Sequence, residues 1–176
     1  EKAAIVGKLA GGTGMLLKQN GVRTISGTAA FVDPRTVRIE ETGETISPSA
    51  VIIATGSESV RLRLDGIDLP GVYDSDGILN IDNIPESLVV IGGGYIGLEF
   101  AQIFSLFGTT VTVLEMMPQI LPDSDPEVAA AMQRILNADG IHIHTNAKLS
   151  RIEKNGRHLT AAYDKDREHR TLNADA

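Results

Sequence analysis

The sequence predicts an α/β protein with a parallel sheet, and three observations support this fold class. Apolar runs at residues 88–91 and 111–114 flank a segment with helical apolar spacing. A second helical pattern and a third strand pattern at 141–143 follow. This alternation is typical of a right-handed parallel arrangement. The third observation is Asn155-Gly156 between two more strand patterns, which predicts a hairpin after the parallel part.

The first fifty residues predict a helix followed by a small antiparallel ribbon. Residues 2–9 and 15–19 have helical apolar spacing. Three glycines lie between them, and each costs about 1 kcal/mol relative to alanine inside a helix, so we expect a break or bend there. After Asn20-Gly21 the apolar period changes to two, which predicts short strands. These strands are expected at 22–25, 30–32, 37–39 and 51–54.

Glycine and proline mark residues 58–86 as a connecting segment, with one helical turn expected near 75–79. We therefore expect a first domain at 1–57 and a second at 87–176. The chain begins with Glu rather than Met and ends where another strand is expected. The sequence thus suggests a piece of a longer protein, with the last strand of the second domain missing.

The second domain contains a well-marked helix and a three-stranded meander. Asp125 and Pro126 have the character of a helix start, and Gly140 that of a helix end. The expected buried stripe of this helix consists of Val128, Met132, Ile135 and Leu136. The hairpin strands are expected at 149–153 and 158–163, with a third strand near 169–172.

Composition excludes several classes of function. The chain has 176 residues, a formal charge of −7 and scattered basic residues, which argues against a nucleic-acid partner. No apolar run is long enough to cross a bilayer and no signal-peptide pattern is present, so we expect no membrane partner and a cytoplasmic location. The sequence has no cysteine, which excludes a disulfide, a thiolate metal site or a thiol nucleophile among these residues.

A glycine-rich turn carries the strongest functional prediction. Six residues with GxGxxG spacing follow the first apolar run: Gly92, Gly93, Gly94, Tyr95, Ile96 and Gly97. Gly92 allows the turn, Gly94 lets a pyrophosphate approach the backbone, and Gly97 lets helix and strand pack closely. Glu115 ends the next strand, where it can accept hydrogen bonds from a ribose diol. The alternative is a packing turn in another α/β domain, with Glu115 as a solvated strand end.

Together with this motif, further segments of the chain resemble those of a known family. The helix carries Leu9-Ala10-Gly11-Gly12-Thr13-Gly14, and the last ribbon strand runs into Ala54-Thr55-Gly56-Ser57. With the glycine turn and Glu99, this order resembles the flavin-dependent pyridine nucleotide–disulfide oxidoreductases. The resemblance covers essentially the whole chain. It implies the latter part of an FAD domain followed by most of an NAD domain with a Rossmann-like fold.

The resemblance also implies which residues contact each cofactor. In this family the second glycine motif takes the nicotinamide nucleotide, and the FAD contacts of the corresponding segments come through the backbone more than through side chains. The implied NAD contacts are Gly92, Gly93, Gly94, Tyr95, Ile96, Gly97, Glu99, Glu115, Met116 and Leu149. The implied FAD contacts are Ala29, Thr55, Gly56 and Ser57. Because residues 116–120 supply no basic side chain for a 2′-phosphate, we expect NAD rather than NADP.

The implied activity belongs to a longer parent enzyme. Family members most similar to this chain pass electrons from a dihydrolipoyl dithiol through FAD to NAD⁺. The expected partner is therefore a small-molecule or lipoyl disulfide or dithiol, and the parent is expected to be a homodimer. The family's redox cysteines and its histidine base lie outside these residues, so we expect no catalytic residue here. The alternatives are a mercuric-reductase-like NAD(P)H-dependent flavoprotein and a non-catalytic nucleotide-binding module.

A few single residues have two interpretations. The resemblance implies that Tyr95 covers the nicotinamide pocket and that Glu99 lies beside the flavin; the alternatives are packing at the helix start and a solvated acid favoured by the helix dipole. His142 and His144 share a strand face but lack a third ligand, so we expect no metal. Ser57 and Ser75 have no adjacent histidine, which argues against hydrolase chemistry.

Overall fold

The computed structural model describes residues 2–176, which form two compact units, 2–56 and 57–176. The described residues form helices, one parallel sheet and two antiparallel sheets, which confirms the predicted α/β class. In the described part of the chain, no helix is both long and apolar enough to span a bilayer.

The first unit consists of a helix and an antiparallel ribbon. Helix α1 (Lys2–Gln19) is continuous through its glycines, so the predicted break is wrong. A Cβ at any of these glycines would meet no atom within 4 Å, and no side chain of α1 is buried. No packing contact therefore bends the helix, and its backbone hydrogen bonds continue through the glycines. The helix ends before Gly21, whose φ is +70°.

The ribbon has three strands, β1 (Ala29–Asp33), β2 (Thr36–Ile39) and β3 (Thr45–Ile46). The predicted strands at 30–32 and 37–39 are confirmed, whereas those at 22–25 and 51–54 are wrong. Within the described residues, neither of these two stretches pairs with a neighbouring strand. Ile52 is 91% exposed, which shows that an apolar run alone does not form a strand.

The second unit is built on a parallel sheet with the order β4-β5-β6. Its strands are β4 (Ser87–Ile91), β5 (Thr110–Leu114) and β6 (His142–His144), and the connecting helices are α2 (Tyr95–Leu106) and α3 (Pro126–Ala138). This confirms the predicted strand–helix alternation. The buried side chains between helices and sheet are Leu98, Ala101, Phe104, Val111, Val113, Leu136 and Ile141.

The ends of α3 are confirmed, but its buried stripe is partly wrong. Asp125 caps the helix by accepting a hydrogen bond from the Glu127 N–H at 2.8 Å. Leu136 is fully buried, as expected, and Ala129 is the other buried residue. Val128 and Ile135 are more than half exposed, because residues 129 and 136, two turns apart, define the face that meets the sheet.

The predicted meander is confirmed as β7 (Ala147–Asn155), β8 (His158–Lys165) and β9 (Glu168–Ala174), with β8 in the centre. The expected helical turn is a 3₁₀ turn at Ile78–Asn80. After β9 the chain returns to β4, where the Val89 N–H donates to the Ala176 carbonyl at 2.9 Å.

Candidate functional site

The glycine turn between β4 and α2 has one position that requires glycine for its backbone conformation. Gly92 has a φ of +103°, which a residue with a side chain rarely adopts. Its N–H donates to the Leu114 carbonyl at 2.9 Å, so the pairing of β4 with β5 extends into the turn. Gly94 then serves as the N-cap of α2.

Two other glycines of the turn are fixed by packing. A Cβ on Gly97 would overlap the carbonyl oxygen of Gly92 and lie 3.2 Å from the Val90 side chain. A Cβ on Gly93 would lie 2.8 Å from the Ile120 side chain. Gly97 therefore brings helix and strand together, as predicted from its spacing, and Gly93, with no side chain, leaves room for the loop after β5.

Gly94 lies in a different environment from its neighbours. A Cβ at this position would meet nothing within 4 Å, so open space lies next to the backbone at the start of α2. No side chain caps this helix end. The N–H groups of its first turn have no partner within the helix, and the dipole adds partial positive charge. Such a helix start can bind an anion such as a phosphate.

Glu115 follows β5 and is buried, with a relative exposure of 5%. Its Oε2 accepts a hydrogen bond from the Gly93 N–H at 2.7 Å, and its Oε1 accepts one from the Met117 N–H at 2.7 Å. The alternative of a solvated strand end is therefore wrong. Each carboxylate oxygen can accept more than one hydrogen bond, so the side chain can also bind a hydroxyl group.

The loop after β5 packs over the turn, which sequence reasoning missed. Ile120 is fully buried, and the Leu121 N–H donates to the Gly93 carbonyl at 2.8 Å. The only sequence indication was this apolar pair within an otherwise loop-like segment. Met116 in the same loop is 60% exposed, so its side chain is free to contact a ligand.

The remaining predicted residues of α2 point outward. Tyr95, Ile96 and Glu99 are all exposed. The Tyr95 hydroxyl lies 3.4 Å from the Ser124 hydroxyl, so the ring extends from the helix start towards the loop before α3. Tyr95 and Ile96 line an open cavity of about 1040 Å³ in the second unit, which β4 and Phe100 also border. The glycine turn thus opens into a space large enough for part of a nucleotide.

Leu149 lies near Glu115 through the backbone of the adjacent strands. It packs against the cluster of Leu114, Ala147 and Tyr163, and the Ala147 N–H donates to the Glu115 carbonyl at 2.9 Å. The structure therefore brings the predicted Leu149 and Glu115 to the same region.

The two strand histidines differ in their surroundings. His142 is exposed, whereas His144 is partly buried and its Nδ1 lies 3.0 Å from the Tyr163 hydroxyl. Burial, with smaller contributions from nearby cations, lowers the pKa of His144. Across residues 2–176, no three His, Cys, Asp or Glu side chains come together as a metal site.

The residues with implied FAD contacts lie in stretches that expose them. Ala29 begins β1, and Thr55 and Gly56 lie in the segment without helix or strand that follows the ribbon. Gly56 has a φ of +80°, which suits a close backbone approach. Ser57 belongs to the second unit.

Comparison of the sequence with known proteins identifies relatives of this chain. The chain is 39% identical to the dihydrolipoyl dehydrogenase of Geobacillus stearothermophilus, over 99% of this chain and 37% of that protein. It is 43% identical to the dihydrolipoyl dehydrogenase of Thermus scotoductus, over 85% of this chain and 32% of that protein. The chain thus spans about a third of the length of these relatives.

Solved structures agree with this similarity. The HOCl-induced flavoprotein disulfide reductase RclA from Escherichia coli matches with a TM-score of 0.74 and 36% identity, over 88% of this chain and 35% of that one. The profile of the pyridine nucleotide-disulphide oxidoreductases, which use FAD and NAD(H), matches residues 2–176. The chain therefore belongs to the pyridine nucleotide-disulphide oxidoreductase family.

Proposed function

We propose that residues 87–176 bind NAD(H), and that the whole protein is an FAD-dependent dithiol–disulfide oxidoreductase, a dihydrolipoyl dehydrogenase. The observation that carries the proposal is the glycine turn at 92–97 with open space at Gly94 and a buried carboxylate at Glu115. The N–H groups at the start of α2 bind the diphosphate, and Glu115 binds the adjoining ribose diol. Met116 and Leu149 border the adenosine side.

The contribution of this chain to the reaction is binding and orientation. When bound, the flavin and the nicotinamide supply the electron transfer between dithiol and NAD⁺. Tyr95 and Ile96, at the rim of the cavity, are positioned to cover the nicotinamide end. Glu99 is one turn further along α2, where an exposed carboxylate can orient the carboxamide. In the first unit, Ala29, Thr55 and Gly56, together with Ser57, contribute backbone contacts to FAD.

We propose NAD as the preferred nucleotide over NADP. Because two backbone N–H groups hold the Glu115 carboxylate, it cannot turn away from a 2′-phosphate. The adjacent Met116 and Met117 provide no positive charge to compensate. The electrostatic repulsion would therefore act on NADP but not on NAD.

Calorimetric titration of the intact protein with NADH tests the proposal directly. Gly94→Ala places a methyl group in the open space and should weaken NADH binding at least about tenfold, or about 1.4 kcal/mol. Gly11→Ala is the matched control, because its Cβ also meets nothing within 4 Å but lies in α1. Equal affinity in both variants, or no binding by the natural protein, would reject the site.

A reductase that runs in the opposite direction is the second candidate. The observation in its favour is the similarity to RclA, a flavoprotein disulfide reductase. Steady-state rates of the intact protein separate the two candidates: dihydrolipoamide oxidation by NAD⁺ supports the first, and NADPH oxidation by a disulfide or metal-ion acceptor supports the second. If neither reaction occurs but NADH binds, the nucleotide-binding module remains. The homodimeric state and cytoplasmic location stay predictions.

A further inference from the structure

We propose that Glu115 is a positioning residue as well as a ribose ligand. Its carboxylate holds the glycine turn and the loop after β5 in the phosphate-binding arrangement before any nucleotide arrives. This inference rests on the proposed function, since it concerns the same site, but it assigns a second role to the residue.

The hydrogen bonds of Glu115 join two separate segments of the chain. Gly93 lies 22 residues away, in the turn after β4, whereas Met117 lies in the loop after β5. Both N–H groups donate at 2.7 Å to a side chain that is almost completely buried. Charge-assisted hydrogen bonds of this kind are roughly twice as strong as neutral ones.

The opposite side of the same turn is also fixed. While the Gly93 N–H donates to Glu115, the Gly93 carbonyl accepts from the Leu121 N–H at 2.8 Å. The Ile120 side chain fills the space that a Cβ on Gly93 would occupy. The turn and the loop are thus one hydrogen-bonded unit, and Glu115 provides the only ionised group in these contacts.

Only a carboxylate satisfies both amide groups. A glutamine at position 115 has one carbonyl oxygen and one NH₂ group, so its NH₂ would face the N–H of either Gly93 or Met117. A buried donor left without an acceptor is costly. Glu115→Gln is therefore expected to loosen the turn and weaken phosphate binding even where no ribose hydroxyl is involved.

A pair of nucleotides separates this role from ribose binding. ADP has both the diphosphate and the ribose 2′,3′-diol. 2′,3′-Dideoxy-ADP keeps the adenine and the diphosphate but lacks both of these hydroxyls. We would titrate both into the intact protein and into its Glu115→Gln variant. Glu153→Gln is the matched control, because it removes one carboxylate from an exposed position on β7.

We expect Glu115→Gln to weaken dideoxy-ADP binding about tenfold, and Glu153→Gln to leave it unchanged. Equal dideoxy-ADP affinity in the natural protein and Glu115→Gln would overturn the positioning role and leave the proposed function intact. The positioning role would also be overturned if the natural protein binds ADP but binds dideoxy-ADP too weakly to measure. If ADP itself does not bind, the proposed function fails too.

Amide hydrogen exchange without nucleotide gives a second, independent measurement. In Glu115→Gln the amides of Gly93 and Met117 should exchange at least about tenfold faster. The Ile152 amide, which donates to the Asp65 carbonyl elsewhere in the unit, should keep its rate. Faster exchange at all three amides would indicate general destabilisation and contradict the positioning role, as would unchanged exchange at Gly93 and Met117.

Discussion

Gly97, in the first turn of α2, packs directly against the carbonyl oxygen of Gly92, leaving no room for a side chain at position 97. The contact joins the end of β4 to the start of the helix. It therefore sets the distance between sheet and helix at the point where the N–H groups proposed to bind the diphosphate begin.

This contact predicts that Gly97→Ala destabilises the protein. The added methyl group must push the helix away from the turn, and such overpacking costs about 1–3 kcal/mol. Urea unfolding of the intact protein measures the loss. Gly94→Ala, with its Cβ in open space, should cost less than about 1 kcal/mol. Equal losses in the two variants would show that the close approach at Gly97 does not limit stability.

The tethered carboxylate predicts a change in nucleotide preference. Glu115→Arg removes the proposed ribose ligand and adds a positive charge near the expected 2′ position, so NADH binding should fall far more than NADPH binding. We expect the ratio of the two dissociation constants to shift by at least about tenfold, or about 1.4 kcal/mol. Fluorescence titration with both nucleotides measures this ratio. The neutral Glu115→Gln serves as the control, since it cannot attract the phosphate. Parallel losses of both nucleotides would contradict the assignment.

The position of Tyr95 predicts an effect on access to the proposed nicotinamide site. Tyr95 is 66% exposed at the cavity rim, and its hydroxyl lies near that of Ser124. If the ring covers the site, Tyr95→Gly should speed the reaction of the intact enzyme with NADH in stopped-flow measurements by severalfold, about 1 kcal/mol in barrier. Tyr95→Phe keeps the ring and should change the rate much less. Unchanged access in both variants would favour simple packing at the helix start.

The helices and strands of the second unit were predicted well because local residues mark where these elements begin or end. Asp125 and Pro126 fix the beginning of α3, and Gly92 fixes the turn after β4. These features act within a few residues and do not depend on the rest of the chain. The order of strands and helices then follows from the alternation of periods.

The incorrect predictions concern features that depend on contacts with residues far away in the sequence. The run at 51–54 has the composition of a buried strand but no strand beside it among the described residues. The glycines of α1 predicted a bend, yet no packing contact acts on them. In the site, Glu115 was identified from its place after a strand. Its hydrogen bonds to Gly93 and Met117 depend on how the loop folds back, which no local pattern shows.

Asp175 predicts a pH dependence of stability. Its Oδ2 accepts hydrogen bonds from the Ser87 hydroxyl at 2.9 Å and the Ser87 N–H at 3.1 Å, and its Oδ1 lies 2.8 Å from the His158 ring. These contacts, led by the Ser87 hydroxyl, lower the pKa of Asp175 below its ordinary value of 3.8. Because the native state favours the carboxylate, the contribution of ionised Asp175 to the free energy of unfolding is complete above about pH 4. It disappears as the pH falls through the lowered pKa.

Asp175→Asn should therefore reduce stability at pH 6 by about 1 kcal/mol, a value limited by the partial exposure of the side chain. The difference from the natural protein should shrink as the pH is lowered towards 3, since acid removes the same contribution from the natural protein. Unfolding midpoints measured across this range test the expectation. Ser87→Ala should act in the same direction but more weakly, because the backbone N–H of residue 87 remains to donate. A difference between natural protein and Asp175→Asn that stays constant with pH would mean that the carboxylate charge does not stabilise the junction of β9 with β4.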